Sequence, residues 1–231
     1  MKIGGQDYKY NSILDLDLNA FDIYRKTFYQ FGLGVKTGID YPLEETGVKG
    51  KSNDSDLLIN YAIGQYDTYT TLQLSQYIST IANGGSRIKP RFLKSVIDSQ
   101  TNEIIYEAPT VVLNKVLTED KYLKRVQLGF RLCIKNGTCY GYMGNVKNGA
   151  GKTGTSESFV DSGTGIYNHP TISNNFIGYA PYDNPVMSIA VSSPDVMDLK
   201  GSEYKSDINY RLSKKASTIF FSLYDYSGKR K

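Results

Sequence analysis

Lys152-Thr153-Gly154-Thr155, inside the run Gly149-Ala150-Gly151-Lys152-Thr153-Gly154-Thr155-Ser156-Glu157, gathers the side chains of this sequence best suited to gripping an acid group. The lysine ammonium supplies charge and the threonine hydroxyl a directed hydrogen bond, while the missing side chain at Gly154 lets a ligand backbone come close. Flanking glycines keep the segment open, an arrangement that suits a carboxylate held against the edge of a strand. Taken alone, the tetrapeptide is equally compatible with a solvated glycine-rich loop carrying an ordinary lysine.

Other candidate groups are sparse. Asp67 and Glu157 are carboxylates that no spacing pairs for acid–base work, and solvated faces are expected for both. Ser156 and Glu157 border the lysine segment by position alone. The single histidine, His169, precedes a proline in a polar stretch and is expected at the surface. No Cys or His cluster has metal-ligand spacing, so neither metal nor cofactor is implied. Cys133 and Cys139 lie six positions apart around Asn136-Gly137. In an oxidising compartment they can close a small disulfide; equally, a helix-face cysteine and a loop cysteine need never pair.

The elements that must position these groups follow from periodicity. Leu18, Phe21, Tyr24, Phe28 and Phe31 fall on one helical face and Gly32-Leu33-Gly34 ends the run, whereas 35–56 reads as loop. A second helix from about Thr70 to Asn83 carries Leu74, Tyr77, Ile78, Ile81 and Ala82, with Gly84-Gly85 as its stop. Two short β-type runs, 92–97 and 103–106, flank the polar residues 98–102 and predict a hairpin. Thr118 is placed to cap a helix whose apolar face is Tyr122, Leu123, Val126, Phe130 and Cys133. After the lysine segment and a polar connection expected to be mobile, 176–179 and 186–191 read as paired strands joined through Pro181-Tyr182-Asp183-Asn184-Pro185. A last helix from about Asp207 is expected to bury Leu212, Ala216, Ile219, Phe220 and Leu223, and Gly64-Gln65 to hold a buried turn. Strands and helices do not alternate as a parallel sheet requires, so the fold class is α+β with an antiparallel sheet.

Composition narrows the function classes. A chain of 231 residues with 40% hydrophobic content supports one large globular domain. The formal charge of +4, from 27 basic and 23 acidic residues, is scattered apart from Lys229-Arg230-Lys231, and the twenty tyrosines are dispersed among lysines rather than grouped as a stacking platform. Nucleic acid is not an expected partner. No stretch approaches the ~18 apolar residues of a membrane span, and no signal pattern opens the chain.

Phe31-Gly32-Leu33-Gly34-Val35-Lys36-Thr37-Gly38-Ile39-Asp40, Ala62-Ile63-Gly64-Gln65-Tyr66-Asp67-Thr68-Tyr69-Thr70 with Leu72-Gln73-Leu74, Ile81-Ala82-Asn83-Gly84-Gly85, Lys152-Thr153-Gly154-Thr155 and Phe176-Ile177-Gly178-Tyr179-Ala180-Pro181 together resemble the transpeptidase domain of class B penicillin-binding proteins, nearly end to end. The resemblance implies a penicillin-binding/β-lactamase-like fold with flanking helices and a D,D-transpeptidase that cross-links peptidoglycan and is acylated by β-lactams. It implies that Lys152 lies on the edge strand beside the cleft and attracts the C-terminal carboxylate of a D-Ala-D-Ala stem peptide. Thr153 and Thr155 would orient that carboxylate, Gly154 would leave room for substrate, and the Thr155 N–H would donate to the oxyanion. Stem peptide and β-lactam are thus the expected partners. The parent is expected to be membrane-anchored among cell-wall synthesis partners, with this domain at the extracytoplasmic face.

The family's nucleophilic Ser-x-x-Lys and its Ser-x-Asn lie upstream of anything matched here. Three literal substitutes exist. Ser86-Arg87-Ile88-Lys89 follows a helix stop and precedes Pro90, Ser202-Glu203-Tyr204-Lys205 follows Gly201 in a loop, and Ser173-Asn174-Asn175 leads into a strand. None places a serine and its base on one helical turn. The expectation is therefore that 1–231 forms the C-terminal portion of a transpeptidase domain, incomplete at the N-terminus, with strands beside the last helix left uncovered. Two other classes stay open. A non-catalytic truncated binding module would not be acylated by a fluorescent penicillin, and a serine β-lactamase would hydrolyse a chromogenic cephalosporin.

Overall fold

The computed structural model describes residues 2–3, 6–7, 17, 19–52, 54–161, 163–198 and 207–231. Leu18 and the Ser202-Glu203-Tyr204-Lys205 pattern lie outside them. The chain forms two compact units, one of Met1–Thr80 with Ser86–Leu117 and the other of Ile81–Gly85 with Thr118–Lys231.

The first unit opens on the two-residue strands β1 (Lys2–Ile3) and β2 (Gln6–Asp7) and continues through α1 (Ala20–Gln30), α2 (Ser55–Ala62) and most of α3 (Thr71–Ala82). Short strands β3 (Ser86–Ile88), β4 (Ser95–Ile97), β5 (Ile104–Glu107) and β6 (Val112–Lys115) follow, with β4 antiparallel to β5 as expected of the hairpin and β3 antiparallel to β6. α1 and α3 match the sequence reading, and positive φ at Gly84 and Gly85 ends α3 as the paired glycines predict. α2 was not foreseen: eight residues are too few for a clear 3.6-residue period. Gly64 does turn the chain, with φ of 91°, but it stands exposed with nothing within 4 Å of an added Cβ, so that turn is not buried. The apolar cluster is Phe21, Leu58 and Tyr61, with Tyr24, Phe28, Leu57 and Tyr66 packed against it.

Asp67 corrects the expectation of a solvated carboxylate. Its side chain is only 7% exposed and accepts from Arg25 Nε and Nη2, each at 2.9 Å, from Tyr61 Oη at 2.8 Å and from the Gly50 N–H at 2.9 Å. The Arg25 guanidinium lies over the rings of Phe21, Tyr61 and Tyr66. Burial pushes the Asp67 carboxyl upward, but these donors outweigh it and hold it below the ordinary carboxylate value.

The second unit contains α4 (Asp120–Asn136), the long strands β7 (Ala150–Asp161), β8 (Tyr167–Ala180) and β9 (Met187–Asp198), and α5 (Ile208–Leu223). The three strands form one antiparallel sheet in the order β7-β8-β9. The polar connection between the lysine segment and Phe176, expected to be mobile, is mostly strand among the described residues. Their polar side chains satisfy one another across the sheet, as where Ser158 meets Thr171 and Ser173 at 2.9 Å, so an exposed sheet face needs no apolar alternation. The core of this unit is Cys133, Cys139, Met143, Phe176, Ala180 and Phe221.

Both helices depart from their expected faces. Thr118 is not the cap of α4: the capping position falls on Glu119, with no side-chain capping bond. Leu123 and Cys133 are buried there, but Tyr122 and Val126 are exposed. α5 buries Asn209, Ser213, Ser217 and Phe221, while Leu212, Ile219 and Leu223 are about half exposed and Ala216 is exposed. Small hydroxyl side chains let α5 settle closely on β8 and β9, and Ser213 Oγ returns a hydrogen bond to the Tyr142 carbonyl at 2.7 Å.

Candidate functional site

β7 enters the core and then emerges from it. Ala150 is fully buried, and Gly151 must be glycine because an added Cβ would lie 2.7 Å from the Ile177 carbonyl oxygen and 2.8 Å from the Phe176 ring. From there the strand surfaces: Lys152, Gly154 and Thr155 are exposed and Thr153 is half-buried. The register sets Lys152 opposite Ile177, Thr153 opposite Phe176, Gly154 opposite Asn175 and Thr155 opposite Asn174. Only Asn175 Cβ, at 3.7 Å, comes near an added Cβ at Gly154. Among the described residues β7 pairs on one side only, leaving the ledge at the sheet's edge. The four residues singled out from sequence therefore share one exposed strip.

The Lys152 ammonium donates to the Thr153 carbonyl oxygen at 2.7 Å. An incoming carboxylate would replace that neutral acceptor with a charge-assisted bond, roughly twice as strong. Thr155 Oγ1 donates to Asn174 Oδ1 at 3.4 Å, at the long end for a hydroxyl. The Lys152 and Thr155 side-chain donors of the strip are thus engaged with neutral acceptors.

The entrance to β7 is held by residues that the sequence did not mark. Arg131 on α4 donates to the Gly149 carbonyl at 2.9 Å and to Asn148 Oδ1 at 3.1 Å. Asn148, at φ of 51°, bonds Asp183 Oδ2 through its amide nitrogen at 2.8 Å, and its carbonyl accepts the Tyr182 N–H. Cys133 and Cys139 are joined as a disulfide, resolving the alternative left open by their spacing. Cys139 is fully buried, its sulfur 3.5 Å from the Gly151 carbonyl oxygen. On the loop so closed, Thr138 Oγ1 lies 3.4 Å from Thr153 Oγ1. Only the adjacency of the Gly137-Thr138-Cys139 turn to a cysteine six positions away hinted at this support.

The described substitute motifs do not form a serine–lysine pair on a helix. Ser86 lies on strand β3, so Ser86 and Lys89 share no helical turn. Ser173 lies on β8, where its hydroxyl accepts the Asp195 N–H and meets Ser158. Glu157 is exposed, as expected, and His169 is partly buried on β8. No group of three His, Cys, Asp or Glu capable of holding a metal occurs among the described residues.

Known relatives give this arrangement a class. The penicillin binding protein transpeptidase domain matches residues 16–215, and the chain belongs to that family. It is 46% identical over 203 residues to penicillin-binding protein 2A of Bacillus subtilis, covering 83% of this chain and 28% of the relative. With penicillin-binding protein 2B of Streptococcus pneumoniae strain R6 it shares 36% identity over 202 residues, covering 82% and 29% respectively. The solved structure of penicillin-binding protein 2B from that strain superposes with a TM-score of 0.81 at 29% identity, over 94% of this chain and 35% of that one. Penicillin binding protein 3 of Mycobacterium tuberculosis, solved with ampicillin, has the same fold at 24% identity and a TM-score of 0.65, over 87% of this chain and 45% of that one. The chain thus spans under a third of the length of these curated relatives. The α+β class and the antiparallel sheet expected from the sequence agree with these neighbours.

Proposed function

We propose that this chain supplies the carboxylate-binding wall of a serine D,D-transpeptidase that cross-links peptidoglycan. The observation that carries the reading is the largely exposed strip from Lys152 to Thr155 on a strand edge that is unpaired among the described residues, in a chain of the penicillin-binding transpeptidase family. The Lys152 ammonium and the Thr153 hydroxyl grip the C-terminal carboxylate of a D-Ala-D-Ala stem peptide, and Thr155 orients it. Gly154 keeps the strip clear, so that an extended peptide lies along β7 as an added strand. The Thr155 N–H donates to the oxygen of the attacked carbonyl as negative charge develops there.

The reactive serine lies outside the ledge. Its hydroxyl oxygen attacks the carbonyl of the penultimate D-Ala, the terminal D-Ala leaves as the amine, and a second stem peptide's amine then takes the acyl group. A β-lactam enters by the same route: its carboxylate occupies the strip, and ring opening leaves it esterified to the serine. The disulfide supports an oxidising, extracytoplasmic location, where the parent would be membrane-anchored among cell-wall synthesis partners. No helix among the described residues is long and apolar enough to cross a membrane.

Labelling by a fluorescent penicillin tests the reading. The 231-residue chain alone is expected to remain unlabelled. A protein that joins it to the upstream portion spanned by its relatives is expected to label stoichiometrically, and Lys152→Ala to cut the second-order acylation rate constant roughly 10- to 100-fold, the range of about 1.5–3 kcal/mol for a lost hydrogen bond to a charged group. Stoichiometric labelling of the isolated chain would place the nucleophile inside it, and unchanged labelling of the Lys152→Ala protein would remove the ledge from the mechanism.

A further inference from the structure

We propose that Thr138, carried on the loop closed by the Cys133–Cys139 disulfide, is a positioning residue whose hydroxyl donates to Thr153 Oγ1 and so turns the Thr153 proton toward a bound carboxylate. The inference rests on the ledge reading above and adds to it the group that sets the direction of its hydroxyl.

Thr138 Oγ1 stands 3.4 Å from both Cys133 Sγ and Thr153 Oγ1. A disulfide sulfur has no hydrogen to donate and is a weak acceptor, whereas a hydroxyl oxygen is a good one. The single Thr138 proton is therefore better placed on Thr153 than on sulfur. Thr153 can satisfy an acceptor in the cleft only with its own proton, and accepting from Thr138 leaves that proton free. At 3.4 Å the pair is long for a hydroxyl–hydroxyl bond, so the relay requires the two oxygens to close by a few tenths of an ångström when a carboxylate is held.

The loop is built to hold this hydroxyl still. The amides of Gly137 and Cys139 both bond the Cys133 carbonyl, at 3.0 and 3.2 Å. A Cβ at Gly137 would lie 2.9 Å from Cys133 Cα, so the turn closes directly on the helix end. Cys139 is sealed in the cluster with Met143 and Phe176. Thr138 alone of these residues presents an exposed side chain with a hydroxyl, and it does so beside the ledge. Opening the disulfide would reverse the logic: a Cys133 thiol acquires a proton of its own, and the loop loses its covalent closure.

The test is an NMR titration of the full chain with N-acetyl-Lys-D-Ala-D-Ala and with the same peptide as its C-terminal amide. The wild-type chain is expected to bind the acid more tightly than the amide. Thr138→Val should shrink that preference about fivefold by weakening the acid alone, Thr138→Ser should restore it, and Cys133→Ala/Cys139→Ala should shift it in the same direction. An unchanged acid-to-amide ratio in Thr138→Val, or equal loss of both peptides, would overturn the relay. Lys152→Ala separates the two readings. If it abolishes the preference while Thr138→Val leaves it intact, only the relay fails; if Lys152→Ala leaves the preference intact, the ledge fails and the relay with it. Thermal melting of each variant establishes that it is folded.

Discussion

Two glycines three positions apart on β7 should answer differently to the same methyl group. At Gly151 an alanine Cβ would meet the Ile177 carbonyl oxygen at 2.7 Å and two Phe176 ring atoms at 2.8 and 2.9 Å. Neither neighbour can yield: the carbonyl belongs to the β7–β8 ladder, and Phe176 is fully buried with its ring stacked on Tyr142 at 4.8 Å. Overpacking of this kind costs about 1–3 kcal/mol, and at roughly 2–4 °C per kcal/mol for a chain of this size the melting temperature should fall by about 2–12 °C. At Gly154 the only neighbour is Asn175 Cβ at 3.7 Å, an ordinary contact, and the position is exposed, so Gly154→Ala should change stability by no more than about 0.5 kcal/mol. Its methyl instead stands on the strip where a ligand backbone would lie. The expected outcome is at least a tenfold loss of D-Ala-D-Ala peptide affinity, about 1.4 kcal/mol, in a chain that melts like the wild type. Differential scanning calorimetry paired with peptide titration reads both effects. A Gly154→Ala chain with wild-type affinity would refute the claim that the ledge must be free of side chains, and an unshifted Gly151→Ala melt would refute the packing argument.

The Asp67 carboxyl is held below its unfolded value, so its contribution to stability is complete above about pH 4, the ordinary carboxylate range, and is lost as pH falls through the lowered value. Asp67→Asn should destabilise at neutral pH by roughly 3–5 kcal/mol, because Arg25 is left buried and unpaired, and urea melts of the two chains should converge on acidification. Replacing both cysteines should cost about 2 kcal/mol in the chain-entropy account of so short a loop, visible as a lower urea midpoint. On α5, Ser217→Leu should destabilise by about 1–3 kcal/mol because the serine is fully buried, whereas Leu212→Lys, at a half-exposed position, should stay within about 0.5 kcal/mol. The reverse order of melting temperatures would contradict the face that α5 presents to the sheet.

Features that depend on neighbours along the chain are legible in the residues alone. The glycine pair that stops α3, the hairpin of β4 and β5, and a lysine, a hydroxyl and a missing side chain in consecutive positions are all local, and all are found where the residues placed them. Tertiary structure decided everything that required a choice between surfaces or a distant partner. α5 carries two stripes at helical spacing, one of Leu212, Ala216, Ile219 and Leu223 and one of Asn209, Ser213, Ser217 and Phe221, and periodicity cannot say which meets the sheet. The small one won, because it lets the helix approach closely, and Ser213 returns its hydroxyl to the Tyr142 carbonyl. Asp67 looked like a solvated acid until Arg25, forty-two residues away, proved to be its counter-ion. Thr138 and the joined cysteines became support for the ledge only because α4 ends beside β7. Covalent order fixes which groups are adjacent along a strand; burial, and the partners it brings within bonding distance, fixes what each of them can do.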